Sequence, residues 1–247
     1  MQKPTFEQRL KAREKPEQKP VLLQSWLELL FLHWTYDPEK LQPFLPKGLY
    51  VDTYNGMGYV GIVPFFMSEI KPAIFGTRLP GINFYEMNVR TYVYDEQGNP
   101  GVWFFSLDAN NYFAVKIAKT FFHLPYYNSD FKVSQNNETG WIDYNCTRSG
   151  KSKASYLYKR NSLQGIAEYE SLEFFLLERY LLFAADKKRT IYKGRVHHAP
   201  YQIYDSEVAK LDAHPLEWNS LGIITTPPVH QMVAAAVNVN IYSLAEI

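Results

Sequence analysis

The stretch Asn83-Phe-Tyr-Glu86-Met-Asn88-Val-Arg90-Thr-Tyr-Val93-Tyr-Asp95 decides the fold. It is rich in aromatic and β-branched residues and reads as one long strand. Strand side chains alternate faces, so Glu86, Asn88 and Arg90 share one face while Tyr85, Met87, Val89 and Val93 share the other. The second face is core. The first face has two readings. It points into water, as the outer face of an antiparallel sheet does. Or it lines an enclosed cavity, where a glutamate has a raised pKa and serves as general acid or base, and an arginine grips a carboxylate bidentately.

The flanking sequence supplies more strands. Val102 to Asp108 reads as a partner strand, joined through Gln97-Gly98-Asn99-Pro100-Gly101. Leu49 to Tyr54 and Met57 to Met67 flank Asn55-Gly56, a dipeptide suited to the positive φ values of a tight hairpin turn. Gly58, Gly61 and Pro64 predict bulges or bends in the second of these strands. Phe131 to Arg160 holds three strand-like pieces, and Arg189 to Ile247 alternates short strands with turns, with one short helix predicted near Ser206 to Leu211. In Gln24 to Tyr36, helix and buried strand compete.

Helices are few. Asp37 caps a short one at Pro38. Asn110 or Asn111 caps another that runs to about Phe122, with Phe113, Ala114, Ile117, Ala118 and Phe121 as its apolar face. Ser171 opens a third, from Leu172 to about Arg179. Many strands and few helices predict an α+β fold, mainly antiparallel β and barrel-like. A polar arm over residues 1–20 and a single domain over 21–247 are the expected organisation.

Composition narrows the function classes. Of 247 residues, 46% are hydrophobic and 21% charged, which excludes a disordered chain. Lys plus Arg number 26 against 25 Asp plus Glu, which argues against a nucleic-acid partner. A lone cysteine, Cys146, closes no intramolecular disulfide and fits a reducing compartment. The most apolar run, Val21 to Tyr36, is broken by Gln24, Glu28 and His33 and is too short to span a bilayer. A soluble cytoplasmic protein with no membrane partner is expected. The 19 Tyr, 16 Phe and 5 Trp suit strands and pocket walls.

Other chemistry-bearing residues are weaker signals. Lys116 and Lys119 are Schiff-base candidates only if buried, and otherwise solvated helix lysines. His33 beside Trp34 reads as a pocket residue or as a hydrogen-bonded core histidine. The six histidines form no zincin-type pair, and no glycine-rich phosphate loop follows a strand, so neither metal nor cofactor is expected. Asp108 reads as a helix-capping or turn residue, or one at a cavity mouth. Cys146 lacks a partner base and reads as structural.

Several segments together resemble the YqjF-like bacterial family: Phe31-Leu-His33-Trp34, Leu45-Pro-Lys-Gly48, Val51-Asp-Thr-Tyr54, Glu86 to Val93, Gly101 to Asp108, Leu124-Pro-Tyr126, Ser171 to Tyr180 and His197-His198-Ala-Pro200. That family is similar in fold to acetoacetate decarboxylases, which form a cone-shaped antiparallel barrel around a pocket. The resemblance implies such a fold here, with a pocket Glu at Glu86. About forty residues after their pocket Glu, the decarboxylases carry a Gly-Arg-Glu-x-x-Gly-x-Pro-Lys-Lys motif. Its first Lys forms a Schiff base, and its second lowers the pKa of the first. Ala118 to Tyr127 matches that spacing with Pro125 at the proline, but Tyr126-Tyr127 replaces the lysine pair.

A phenol forms no imine with a ketone. The expectation is therefore a pocket without Schiff-base decarboxylation, holding a small carbonyl or carboxylate compound. Glu86 and Tyr126 are the catalytic candidates, and Arg90, Asn88, His33 and Trp34 the substrate-binding candidates. Lyase, hydratase or isomerase chemistry fits the pair. The alternative is a non-catalytic ligand-binding or scaffold protein, and exposed strand edges leave room for a homodimer.

Overall fold

The computed structural model describes residues 2–75 and 80–247. The N-terminal arm, of which Met1 lies outside the described residues, contains helix α1 (Phe6–Ala12). Thr5 and Gln8 form a capping box at its start. Arg9 clamps the Asp52 carboxylate through two 2.8 Å hydrogen bonds, and Phe6 packs against Phe174 and Tyr169. The arm is thus docked.

A 15-stranded sheet dominates. Its strands are β1 (Leu22–Leu27), β2 (Leu29–Tyr36), β3 (Leu49–Val51), β4 (Gly58–Pro72), β5 (Ile82–Asp95), β6 (Pro100–Ala109), β7 (Tyr126–Gln135) and β8 (Ile142–Arg148). They continue with β9 (Ala154–Gly165), β10 (Leu181–Ala185), β11 (Ile191–His197), β12 (Ile203–Leu211), β13 (His230–Ala234), β14 (Val237–Ile241) and β15 (Ala245–Glu246). The remaining helices are short: α2 (Pro38–Leu41), α3 (Tyr112–Phe121), α4 (Leu172–Leu177) and α5 (His214–Trp218). The fold is mainly antiparallel β, and among the described residues only the pairs β6–β7 and β6–β10 are parallel.

Strand pairing runs in two circuits that share β4, β5 and β6. One passes β1–β14–β11–β10–β6–β5–β4 and returns to β1. The other passes β6–β7–β8–β9–β12–β13–β2–β4–β5 and returns to β6. The shared strands are therefore covered on both faces. Val63, Phe65, Phe84 and Leu107 belong to one apolar cluster, and Val60, Ile62, Met87 and Val89 to another. This accounts for β5, where both the polar and the apolar face are buried over Phe84 to Asp95 apart from half-buried Tyr85.

Several expectations are corrected. Gln24 to Tyr36 is strand on both sides of Glu28, whose positive φ of 51° turns β1 into β2. The Asn55-Gly56 turn forms, but its pairing ends at the Tyr54–Met57 bridge, and β3 pairs β5 instead of β4. The β4 glycines mark close approaches rather than bulges: a Cβ on Gly61 would lie 2.8 Å from the His33 ring. The register shift in β4 falls between Met67 and Ile70. The helix expected near Ser206 to Leu211 is part of strand β12, held by pairing with β9. Finally, α3 keeps only part of its expected apolar face inward, where Ala114 and Ala118 pack against the core. Phe113, Ile117 and Phe121 are exposed, and Val115 is its buried residue.

Candidate functional site

Pairing of β5 with β6, and of β6 with β7, brings Glu86 and Tyr126 together. Glu86 lies opposite Ala109 on β6, and Tyr126 lies opposite Leu107 on the other edge of that strand. The chain between them leaves α3 through His123, whose φ of 50° reverses its direction, and enters β7 after Pro125. The Tyr126 hydroxyl donates a 2.7 Å hydrogen bond to Glu86 Oε2. From the opposite face of the shared wall, the Tyr144 hydroxyl lies 2.9 and 2.8 Å from the carbonyl oxygens of Phe65 and Glu86, a paired couple in β4 and β5. Tyr144 thereby fixes the backbone that carries the acid.

Glu86 and Tyr126 face a cavity of about 320 Å³. Its wall is mostly apolar, with Val63, Phe65, Phe84, Leu107 and Leu177 among the residues that line it. Helix α3 contributes Ala114, Ile117 and Ala118. Ile82 and Ile117 also reach solvent, which places the mouth beside them. A more open depression of about 490 Å³ lies by Asp212, His214 and Glu217 and gathers none of the sequence candidates.

Burial sets the electrostatics. It pushes Glu86 up to about 8, against a weaker opposing pull from the Tyr126 hydroxyl and the Asn88 amide. Tyr126 is driven well above the ordinary phenol value by burial and by the neighbouring Glu86. At neutral pH the pair is therefore a carboxylic acid beside a phenol, both protonated. Asn88 and Arg90 line the same cavity on the same face of β5.

His33 and Trp34 do not line the cavity, which corrects their assignment as substrate contacts. Trp34 belongs to the opposite apolar cluster, and its indole N–H donates to the Thr226 carbonyl at 2.9 Å. His33 stands one layer behind Arg90. Its Nε2 lies 2.6 Å from the Tyr92 hydroxyl, and its Nδ1 lies 2.9 Å from His230 Nδ1. Arg90 Nε and Nη2 each lie 3.3 Å from the Tyr92 oxygen. The arginine is a donor only, so the Tyr92 proton points to His33 Nε2. His33 then carries its own proton on Nδ1, toward His230. Burial and the Arg90 and His230 charges hold His33 well below the usual histidine range, so it is neutral.

The other candidates are placed elsewhere. Lys116 and Lys119 are exposed, and the Lys119 ammonium sits 5.6 Å over the Tyr127 ring. Asp108 is not a capping residue: it is fully buried, accepts a 2.7 Å bond from Arg148 Nε and a second from Nη2, and also binds Ser129. Cys146 is buried, and burial pushes its thiol far up. The sequence reading missed Arg179 and Lys71, both of which line the cavity. Lys71 is at its rim, with its ammonium 2.9 Å from Glu69. Neither left a clear signal: Lys71 stands in the mixed stretch Ser68-Glu69-Ile70-Lys71-Pro72, and Arg179 stands beside Glu178 at the expected end of a helix. Among the described residues, no group of three His, Cys, Asp or Glu is placed to hold a metal ion, and no helix is long and apolar enough to cross a membrane.

Residues 23–239 match the model of the DUF2071 family, described as an uncharacterized conserved protein. The chain belongs to that family. It is 37% identical over 193 residues to the uncharacterized protein YqjF of Bacillus subtilis (strain 168), covering 76% of each chain, and so is a relative distinct from that protein. Among solved structures, it is similar to an acetoacetate decarboxylase-like enzyme from Sphingomonas wittichii RW1, with a TM-score of 0.64, 14% identity, and coverage of 93% of this chain and 94% of that one. It is also similar to the enduracididine biosynthesis enzyme MppR complexed with pyruvate, with a TM-score of 0.66, 11% identity, and 94% and 93% coverage. The acetoacetate decarboxylase from Legionella pneumophila gives a TM-score of 0.64 at 10% identity, over 93% and 88% of the two chains. At these identities the likeness shows an acetoacetate decarboxylase-like fold.

Proposed function

We propose that the circuit through β1, β14, β11, β10, β6, β5 and β4 is the wall of a barrel enclosing a small-molecule site. The site acts by proton transfer on a small carbonyl or carboxylate compound. The observation that carries this reading is the 2.7 Å Tyr126–Glu86 hydrogen bond inside an apolar-lined cavity, with the carboxyl pushed up to about 8. A carboxylic acid kept neutral near pH 7 can give its proton to a carbonyl oxygen or carbanion, and its conjugate base can take one from an adjacent carbon. The Tyr126 phenol, which donates to the carboxyl, stabilises the carboxylate left after the proton departs.

The mechanism proceeds without an imine. Tyr126-Tyr127 stands where the decarboxylase motif has its lysine pair. The rim lysine, Lys71, has its ammonium tied to Glu69. Two groups that polarise a carbonyl and shuttle a proton fit isomerase, hydratase or lyase chemistry.

The test is solvent exchange. The protein is incubated in D2O with 2-oxo and 3-oxo acids of four to eight carbons, and deuterium incorporation beside the carbonyl is followed by proton NMR. Wild type should exchange one or more of them. Glu86→Gln should slow exchange by about 100-fold or more. Exchange at an unchanged rate in Glu86→Gln removes Glu86 from the chemistry. Thermal stabilisation by these acids without exchange favours the alternative, a non-catalytic binding protein.

A further inference from the structure

We propose that Arg90 and Arg179 together form an anion subsite of the cavity, built to take the carboxylate of a ligand whose remainder is apolar. The proposal rests on reading the cavity as a ligand site, and it adds what the ligand must carry.

Arg179 follows α4 and is buried. Its Nε donates to the Phe175 carbonyl at 2.6 Å, and its Nη1 donates to Asp52 Oδ2 at 2.8 Å. Its Nη2 is buried without any partner, in a residue that lines the cavity. Burial lowers Arg179 to about 10, so it remains a cation at neutral pH. Arg90 donates to the Tyr92 hydroxyl and, at 3.2 Å, to the Leu176 carbonyl. Among the described residues it makes no ion pair with a carboxylate. The two guanidiniums share one aromatic neighbour: their central carbons lie 5.6 Å (Arg90) and 5.1 Å (Arg179) from the Tyr92 ring centroid.

The charges do not balance. Asp52 is the carboxylate that answers this group, and its two oxygens are occupied by Arg9 and Arg179. Arg90 is left without a counter-charge, and Glu86 does not supply one because it holds its proton at neutral pH. A buried guanidinium without an anion is costly, and both its planar fork and its charge suit a carboxylate. An incoming carboxylate satisfies the free Arg179 N–H and neutralises Arg90, while the ligand's apolar part lies against the Val63, Phe65 and Leu107 side chains.

The test uses hexanoate and its neutral counterpart hexanamide, titrated by calorimetry into the whole chain at pH 7. Wild type should bind hexanoate at least tenfold more tightly than hexanamide. Arg90→Met should lose that preference and keep its hexanamide affinity, while the loss of its bonds to Tyr92 and Leu176 is read separately as the melting temperature without ligand. Arg179→Met deprives Asp52 of a donor, so Arg179→Lys accompanies it. Lysine keeps the charge but gives up the planar fork, and should retain part of the preference. Equal affinity for the two probes in wild type, or an undiminished preference in Arg90→Met, overturns the subsite and leaves the cavity reading standing. Binding of neither probe overturns both.

Discussion

Glu86→Gln should flatten the pH dependence of folding stability. The folded carboxyl titrates near 8, against an ordinary value of 4.5. Below about pH 4.5 both folded and unfolded chains hold the proton, and the group contributes no pH dependence. Between 4.5 and 8 the unfolded chain releases the proton while the folded chain keeps it. The folded state then binds more protons, so stability falls as pH rises. The slope is about 1.4 kcal/mol per pH unit, and it accumulates to about 5 kcal/mol by pH 8, above which it is constant. Glutamine has nearly the shape of the neutral acid and carries no proton to lose. The variant should match wild type near pH 4.5 and exceed it by about 5 kcal/mol near pH 9. Urea denaturation of both proteins at intervals from about pH 5 to about pH 9 measures the difference directly. Parallel stability curves across that range would refute the argument, because they would mean that Glu86 ionises in the folded protein as readily as in the unfolded one.

Tyr126→Phe removes the phenol that pulls Glu86 downward, so the carboxyl midpoint followed by carbon-13 NMR should move above 8. Nitrogen-15 NMR of labelled histidine should find His33 as the neutral Nδ1–H form, since its Nε2 accepts from Tyr92; an Nε2–H signal at His33 contradicts the chain. Arg148→Met leaves Asp108 buried with Ser129 as its remaining partner, and should destabilise the fold by about 3–5 kcal/mol in urea titrations. Phe113→Ser and Phe121→Ser should each change stability by less than about 0.5 kcal/mol, because these rings are 74% and 68% exposed. A loss several times larger would mean that the stripe is covered.

Much of the local structure was legible because it depends on short-range chemistry. The strand over Asn83 to Asp95, the Asn111 cap of α3 and the Ser171 cap of α4 formed as read, and the Asn55-Gly56 turn formed without the hairpin expected around it. The errors came where the partner decides. The Ser206 to Leu211 segment has helix-compatible composition but pairs along β9, and pairing overrode propensity. The periodicity of α3 was read correctly as amphipathic, yet a period does not say which side faces the core. Of the expected face, Phe113 and Phe121 are outward and Ile117 stands at the mouth, while Ala114 and Ala118 abut the cavity.

The site was legible to the extent that one strand carried it. Glu86, Asn88 and Arg90 alternate on β5, and the spacing shared with the decarboxylase motif reached Tyr126 from Glu86. The choice between water and cavity for that polar face was not in the strand. It is settled by β4, β5 and β6 serving two pairing circuits, which buries both faces of the same residues. The same topology explains His33 and Trp34. Neighbours on one strand necessarily diverge, so Trp34 went to the far cluster, and His33 stopped behind Tyr92. Arg179 lay beyond this reasoning altogether. Its place is set by α4 and by a carboxylate 127 residues away, Asp52, which an N-terminal arginine also holds. A buried cation whose partner is shared in this way leaves no periodic trace in sequence. Its incompleteness, one N–H without an acceptor in a cavity that a second guanidinium without a carboxylate partner also lines, is visible only when the three segments are seen together.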